Sequence, residues 1–512
     1  LNFEGGKSET SNTDIVLAAA KEVSKPIIFS IIIIIIVFLP IFTLQGVEGI
    51  MFSPLAFTIS FALLGSILFA VVAAPVLCTY LLRGGQHREF VLLTKLKDIY
   101  RPLLEKTIGR KKMVIFISAA TFAASMAVLP FLGTEFIPTL EEGSILIGVT
   151  MAPSISLEKA TEKVMKMEKD IMQFPEVKET ISRIGRPEAG SHPHPVNYAE
   201  IHISLKDLSN HSFWRDKEEL IEELNDKLSV YAGVQLNFTQ PIQNAFDELL
   251  SGIKAQLAIK VFGEDISTLR NKAQEIRNAI DNIPGLVDLS TEQSFGQPQY
   301  QVVVNRDACS RYGVNANQVL ELVEMAIGGE NIDYIYLNTR RNGIHVRYQD
   351  KYRNDPAAIN NLLVWTQDGR TIPLQQVAEV KQVVGPIQIN RENNQRRWIV
   401  QGNIRGRDLG SVVADIQAKI KEKVTLPAGY YIEYGGQFEN QQRAMKRLSI
   451  IVPIVIALVF FMLCLSFGSV HHALLIMVKV PLALIGGVFV LVITGEYLSV
   501  PAAVGFIALF GI

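Results

Sequence analysis

Apolar and polar residues are segregated along this chain, with long apolar runs near both ends and a polar, charged centre. Pro26–Leu44 holds six consecutive isoleucines at 31–36 and no charge. Pro54–Leu82 and Met113–Phe131 are also uncharged, as is Leu448–Phe467. Ala473–Thr494 follows, and a sixth run from Leu498 is still apolar at the last residue. About 20 apolar residues cross the hydrocarbon core as a helix, so these runs predict membrane crossings, the last one cut short. Lys479 is the single formal charge within them. A charge at mid-bilayer costs about 2.5–3.5 kcal/mol, and Lys479, close to its helix start, is expected to snorkel to the interface.

Between Gly133 and Lys446 the periodicity changes and one unit recurs. SILIGVTM (Ser144–Met151) reads as a strand, and Leu157, Ala160, Val164, Met167 and Ile171 step like one face of a helix. Pro175 ends that helix, and VKETISRIG resumes extended structure. The order returns at QLAIKVFG (Gln256–Gly263), with Leu269, Ala273, Ile276, Ile280 and Ile283, a Pro284-Gly285 turn and VDLSTEQ. It returns again at RRWIVQGNI, with Val413, Ile416 and Ile420, then Pro427-Ala428-Gly429 and YYIEYGG. A half-unit, Lys217–Val230 followed by VQLNFTQ, pairs with the first. The predicted fold class is therefore a polytopic α-helical membrane domain with a large α+β domain of ferredoxin-like βαβ subdomains. A Tyr-, Asn- and Arg-rich insert, about 301–384, predicts an accessory sheet domain.

Charge gives the orientation. The loop Arg83–Lys112 holds nine basic residues against Glu89, Asp98 and Glu105, which places it in the cytoplasm and the block 133–446 outside. Within the loop, Leu93–Ile108 predicts an amphipathic surface helix. The division expected is 1–25 as the cytoplasmic end of a preceding segment, 26–82 as two crossings, 83–112 as the basic loop and 113–132 as the third crossing. The outer block takes 133–446, and 447–512 holds the remaining crossings. A net charge of -1 excludes a broadly basic nucleic-acid binder. Three cysteines (Cys78, Cys309, Cys464) form no disulfide framework or zinc cluster. Residue 1 is Leu and nothing near it reads as a signal peptide, so the chain reads as an internal stretch of a longer protein.

Three polar clusters are candidate cation sites. PEAGSHPHPVNYAEIHI holds Glu188, His192, His194, Glu200 and His202, a donor mixture that suits borderline divalent metals. A Pro-stiffened surface loop with incidental histidines accounts for the same residues, and His202 reads as one exposed strand position. FDELLSG supplies Asp247 and Glu248, a pair that usually marks a solvated helix start. GGENIDYIYLN supplies Glu330, Asn331 and Asp333, with His345 on the next strand. No nucleophile elbow, Walker loop, dinucleotide fingerprint or HExxH motif occurs, so an enzyme is poorly supported.

Several stretches resemble the heavy-metal branch of the resistance–nodulation–division efflux pumps. They are PIFTLQGVEGIMFSPLAFT (40–58), GTEFIPTLEEG (133–143), INRENNQRRWIV (389–400), GRD (406–408), VPLALIGG (480–487) and GFIALFG (505–511). The resemblance implies a bacterial inner-membrane, multi-pass secondary transporter that exchanges protons for a metal cation. It implies a homotrimer working with a periplasmic adaptor and an outer-membrane channel. The metal would be cargo, with no resident cofactor. By this likeness the chain starts after the fourth membrane helix and ends inside the tenth, so the proton-relay carboxylates of those helices fall outside it. The outer block would comprise two porter subdomains and a docking subdomain near 301–384. Copper and silver exporters of this branch use three porter methionines, and the positions that match are Tyr198, Glu248 and Asn331. Oxygen donors there, with Asp247, Glu330, Asp333, His192 and His194 nearby in sequence, favour zinc, cobalt, cadmium or nickel. Alternatives are a monovalent-ion exporter, a drug or lipid exporter, and a membrane-anchored sensor whose outer domain only binds a ligand. A drug exporter should line its cleft with aromatics, whereas Phe213 and Trp214 sit in a polar turn.

Overall fold

The computed structural model describes residues 12–81, 91–138, 141–185, 194–206 and 217–509. The chain opens with α1 (Asn12–Val37), α2 (Leu39–Thr43), α3 (Gly46–Leu68), α4 (Ala74–Leu81), α5 (Val91–Gly109) and α6 (Lys111–Val128). A π-helical turn at Phe69–Ala73 joins α3 to α4. The first crossing begins earlier than its apolar run, with Pro26 inside α1.

The first βαβ repeat supplies β1 (Ser144–Met151), α7 (Leu157–Ile171), β2 (Val177–Ile184), β3 (Tyr198–Leu205), α8 (Lys217–Ser229) and β4 (Val234–Thr239). Its sheet has the order β2-β3-β1-β4. Ser156 caps α7 by accepting from Lys159 N–H, and Ala160, Val164, Met167 and Ile171 form the buried stripe expected from their spacing. His202 is half-buried between the buried Ile201 and Ile203, the alternation its sequence indicated.

Next come α9 (Pro241–Ser251), β5 (Leu257–Phe262), α10 (Ile266–Ile280) and β6 (Leu286–Thr291). The insert follows as β7 (Phe295–Val304), α11 (Arg306–Tyr312), α12 (Ala316–Val323), β8 (Glu330–Leu337), β9 (Arg340–Val346), α13 (Pro356–Asn360), β10 (Leu363–Trp365), β11 (Thr371–Pro373) and β12 (Ala378–Pro386). Antiparallel pairing of β7 with β12 closes it, around a core that includes Cys309, Val319, Ile359, Leu374 and Val377. Cys309 is thus a small buried hydrophobe.

The chain then forms β13 (Arg391–Glu392), β14 (Gln395–Ile404), α14 (Leu409–Lys423) and β15 (Tyr431–Gly436). The second large sheet runs β13-β14-β5-β15, with β6 also on β14. β5 is buried along its whole length, which explains its nearly unbroken apolar sequence. Its one charged residue, Lys260, is only 3% exposed. Gly435 on β15 makes room for the Lys260 stem, since a Cβ there would lie 2.7 Å from Lys260 Cε. The chain continues through α15 (Gln437–Phe467), α16 (Val470–Met477), α17 (Lys479–Thr494) and α18 (Val500–Ala508).

Five helical stretches are long and apolar enough to cross a membrane: Thr13–Thr43, Gly49–Leu81, Lys111–Phe131, Gln437–Phe467 and Val470–Thr494. Large apolar side chains such as Phe61, Phe116 and Ile493 stand outward from them, as hydrocarbon surroundings require. Ile33, Val37, Ile41, Leu448, Val455, Val459 and Val504 pack as the shared core of this helical part. Contacts divide the chain into one unit of Leu1–Ile145, Thr239–Thr291 and Arg397–Ile512, and another of Leu146–Phe238 and Glu292–Arg396.

Candidate cation-binding residues

In the first unit, Asp247 and Glu248 lie on α9. The helix starts with Pro241 in its first turn, where a missing N–H costs nothing. Its N-cap, Gln240, makes no side-chain cap. The Glu142 carboxylate does that job from a distance, accepting from Ile242 N–H at 2.9 Å and Gln243 N–H at 3.1 Å. Gln240 Oε1 in return accepts from Glu142 N–H at 2.8 Å. An anion at the positive end of α9 is the favoured arrangement.

Asp247 and Glu248 occupy the second half of α9 rather than a solvated helix start, which corrects the expectation drawn from their sequence. Asp247 is 3% exposed and accepts a hydrogen bond from Gln437 Nε2 at 2.8 Å. Burial pushes its carboxyl up to about 7, against the opposing pull of the Gln437 hydrogen bond. Adjacent residues on a helix point about 100° apart, so Glu248 turns away and is half-buried, 3.9 Å from Lys254 Nζ.

The second unit carries Glu330, Asn331 and Asp333 on the β8–β9 hairpin, exposed throughout. Asn331 faces His345 in register, with Oδ1 3.1 Å from His345 Nδ1. The register shifts between Asn331 and Asp333. Asp333 Oδ1 accepts from Tyr334 N–H at 2.7 Å, and Arg341 lies over the Tyr334 ring at 3.6 Å. His194 tilts against Tyr198, with ring centroids 5.0 Å apart. Tyr198 Oη donates to Glu200 Oε1 at 3.4 Å, and Glu200 is buried 3.5 Å from Arg183. Glu188 and His192 lie outside the described residues.

Of the three positions matched to porter methionines, Glu248 belongs to the first unit, and Tyr198 and Asn331 to the second. Among the described residues, no group of three or more His, Cys, Asp and Glu side chains is arranged to hold a metal ion. These residues offer pairs of donors within a unit, not a closed coordination shell.

Sequence reasoning missed the role of GTEFIPTLEEG. Gly133 to Phe136 ties the end of α6 to three other elements of the first unit. Thr134 bridges Leu498 in parallel, with Leu498 N–H donating to Gly133 O at 2.8 Å and Glu135 N–H to Leu498 O at 3.3 Å. Thr134 N–H also donates to Asp408 Oδ2 at 3.2 Å, and Asp408 caps α14 through Ser411 N–H. Gly133 is required there, because a Cβ would meet Asp408 Cβ at 2.5 Å and Tyr497 Cδ1 at 2.6 Å. Phe136, fully buried, stacks on Phe246 of α9. Burial and the neighbouring Glu496 push Glu135 up to about 7. The signal was a glycine, two polar residues and a single phenylalanine directly after an apolar run.

The sequence profile of the AcrB/AcrD/AcrF family matches residues 4–512. The chain is 37% identical over 508 residues to the cation efflux system protein CzcA of Alcaligenes sp. (strain CT14), covering 97% of this chain and 48% of that protein. It is 34% identical over 507 residues to the nickel and cobalt resistance protein CnrA of Cupriavidus metallidurans, covering 97% and 47%. The cation efflux system protein CusA of Escherichia coli (strain K12) is 34% identical over 500 residues, covering 97% and 48%. The fold is similar to a crystal structure of a heavy metal efflux pump (crystal form II), with a TM-score of 0.82, 35% identity and coverage of 96% of this chain and 49% of that one. The chain therefore spans about half the length of the relatives it matches. With a helical part, two α/β sheets and a profile match along nearly its whole length, the chain belongs to the AcrB/AcrD/AcrF family, on the heavy-metal side of the resistance–nodulation–division transporters.

Proposed function

We propose that the chain works as part of the inner-membrane subunit of a proton-driven efflux pump for divalent zinc, cobalt, cadmium or nickel. The observation that carries the cargo class is the donor set. Tyr198, Glu248 and Asn331 stand where the resemblance to copper and silver exporters places three methionines. Asp247, Glu330, Asp333 and His194 add oxygen and imidazole donors, and such ligands favour borderline divalent ions over soft monovalent ones. Relatives named for cobalt, zinc and cadmium, and for nickel and cobalt, support the same class.

In this reading the two large sheets are ferredoxin-like porter subdomains outside the membrane, since each has the strand order 2-3-1-4 within its own repeat. The β7–β12 insert is the docking subdomain. The pump is a homotrimer that passes its cargo to an adaptor and an outer-membrane channel.

The test is metal tolerance and retained metal in an efflux-deficient bacterium that carries the gene with its partner proteins. The challenges are zinc, cobalt, cadmium, nickel, copper, silver and one dye. Protection against divalent ions, reduced to the empty-vector level by Glu248→Ala, is the expected result. Protection against copper or silver alone would overturn the divalent assignment, and protection against the dye alone would overturn the metal assignment.

A further inference from the structure

A cavity of about 610 Å3 opens among α1, α15, α16, α17 and Leu509 at the end of α18, all within the first unit. Its size lies within the range of small-molecule sites, about 300–1,000 Å3. Its floor is apolar, with Ile33, Val459 and Leu463 each no more than 8% exposed. Its mouth holds Lys25 and Lys479, with Ser466 beside them. Among the described residues neither lysine has a hydrogen bond or an ion pair. Two cations from different helices therefore line one apolar slot, with no ion pair among the described residues.

The geometry has a depth as well. From Lys25 to Ile33 α1 rises about 12 Å, and α15 runs about the same distance from Phe467 back to Val459, at 1.5 Å per residue. Both ends of each stretch line the same cavity, so the slot reaches from the lysines well into the apolar part of the helices. Lys25 directly precedes the uncharged run of α1, and Lys479 is the first residue of α17.

We propose that this cavity is a site for an anionic phospholipid, its phosphate between Lys25 and Lys479 and one acyl chain along Ile33, Val459 and Leu463. A zwitterionic lipid would bring a cation against two ammonium groups. A free anion would leave the apolar floor wet. Basic pockets between membrane helices on the cytoplasmic side favour acidic head groups for this reason. The inference rests on the reading of α1, α15 and α17 as membrane crossings. A bound lipid there would bridge α1 and α17 across the slot and make that part of the helical bundle sensitive to the composition of the inner leaflet.

The test is native mass spectrometry of the delipidated chain, titrated with phosphatidylglycerol, with phosphatidylcholine of the same acyl chains, and with inorganic phosphate. Each basic group near an anionic head contributes roughly a fivefold gain in affinity, so with two lysines phosphatidylglycerol should bind about twenty-five-fold more tightly than phosphatidylcholine. The double variant Lys25→Gln/Lys479→Gln should remove that preference and leave residual binding of both lipids equal. Ala483→Trp, which fills the cavity wall, should reduce occupancy by both lipids while the lysines remain. Inorganic phosphate alone should show no retained adduct. Equal affinity for the two lipids, or an unchanged preference in the double variant, would overturn the proposal. Failure of the chain to enter phosphatidylglycerol nanodiscs at all would overturn the membrane reading, and the lipid site with it.

Discussion

Asp247 is the side chain whose surroundings depart furthest from what its neighbours in sequence suggest. A carboxylate 3% exposed loses most of its hydration, and the hydrogen bond from Gln437 opposes that loss without outweighing it. Its folded value of about 7 stands above the ordinary 3.8, so the folded chain holds the proton more tightly than the unfolded one. Stability attributable to this group is intact below pH ~4 and declines as pH rises toward 7. Asp247→Asn keeps the acceptor for Gln437 and cannot ionise. At pH 8 the variant should be more stable than the parent by up to about 4 kcal/mol, from a shift of roughly three pH units. At pH 4 the two should coincide. Thermal unfolding midpoints at both pH values would check this, and an equal difference at both would refute the ionisation account. A pair reading as an exposed acidic run in FDELLSG gave no hint of this, because which helical face meets β15 and α15 is set by packing.

At the scale of elements, α9 depends on a cap that lies about a hundred residues away in sequence. Its own N-cap residue contributes no side-chain acceptor, and Glu142 receives two of the orphan N–H groups instead. Glu142→Ala should cost about 1–2 kcal/mol, the range of lost caps and a favourable helix-end charge. Glu142→Gln keeps an acceptor and should recover roughly half of that loss. Hydrogen exchange at Ile242 and Gln243 would report the effect locally, with faster exchange expected in the Ala variant. Exchange unchanged there would show that water satisfies these groups equally well. The strands and helices of the repeats were readable from local signals. β1 and β5 coincide with short, nearly unbroken apolar runs, α7, α10 and α14 with three-and-four spaced apolar positions, and Ser156, Asp265 and Asp408 cap the helices where caps are expected. The Glu142 cap has no such local signature, because donor and acceptor meet only after the chain has folded.

For the whole molecule, the charge of the loops and the length of the apolar helices make a joint statement about topology. The basic stretch 83–112 should face the cytoplasm and the α/β part the outside. Cysteines introduced singly at Lys97 and Glu264, in a chain whose native cysteines are replaced, would test it with a membrane-impermeant maleimide. Glu264 should label in intact spheroplasts, and Lys97 only after the membrane is opened. Labelling of Lys97 in intact cells would reverse the orientation, and with it the outward placement of the donor residues. Both positions lie on described, exposed parts of the chain.

The amino-acid sequence by itself determined the five membrane-capable helices, the repeated strand–helix–strand units and the family to which they belong. Each of these rests on residues close in sequence, where spacing, caps and apolar content act before any long-range contact forms. Tertiary structure alone decided that Asp247 is buried, that Glu142 caps α9, and that Gly133–Phe136 joins α6, α9, α14 and Leu498. It also brought Lys25 and Lys479, more than four hundred residues apart in the chain, to the mouth of one cavity. Ionisation and ligand affinity depend on desolvation and on charges within a few ångströms. Those distances are set by how the elements pack, and no local pattern in the sequence encodes them.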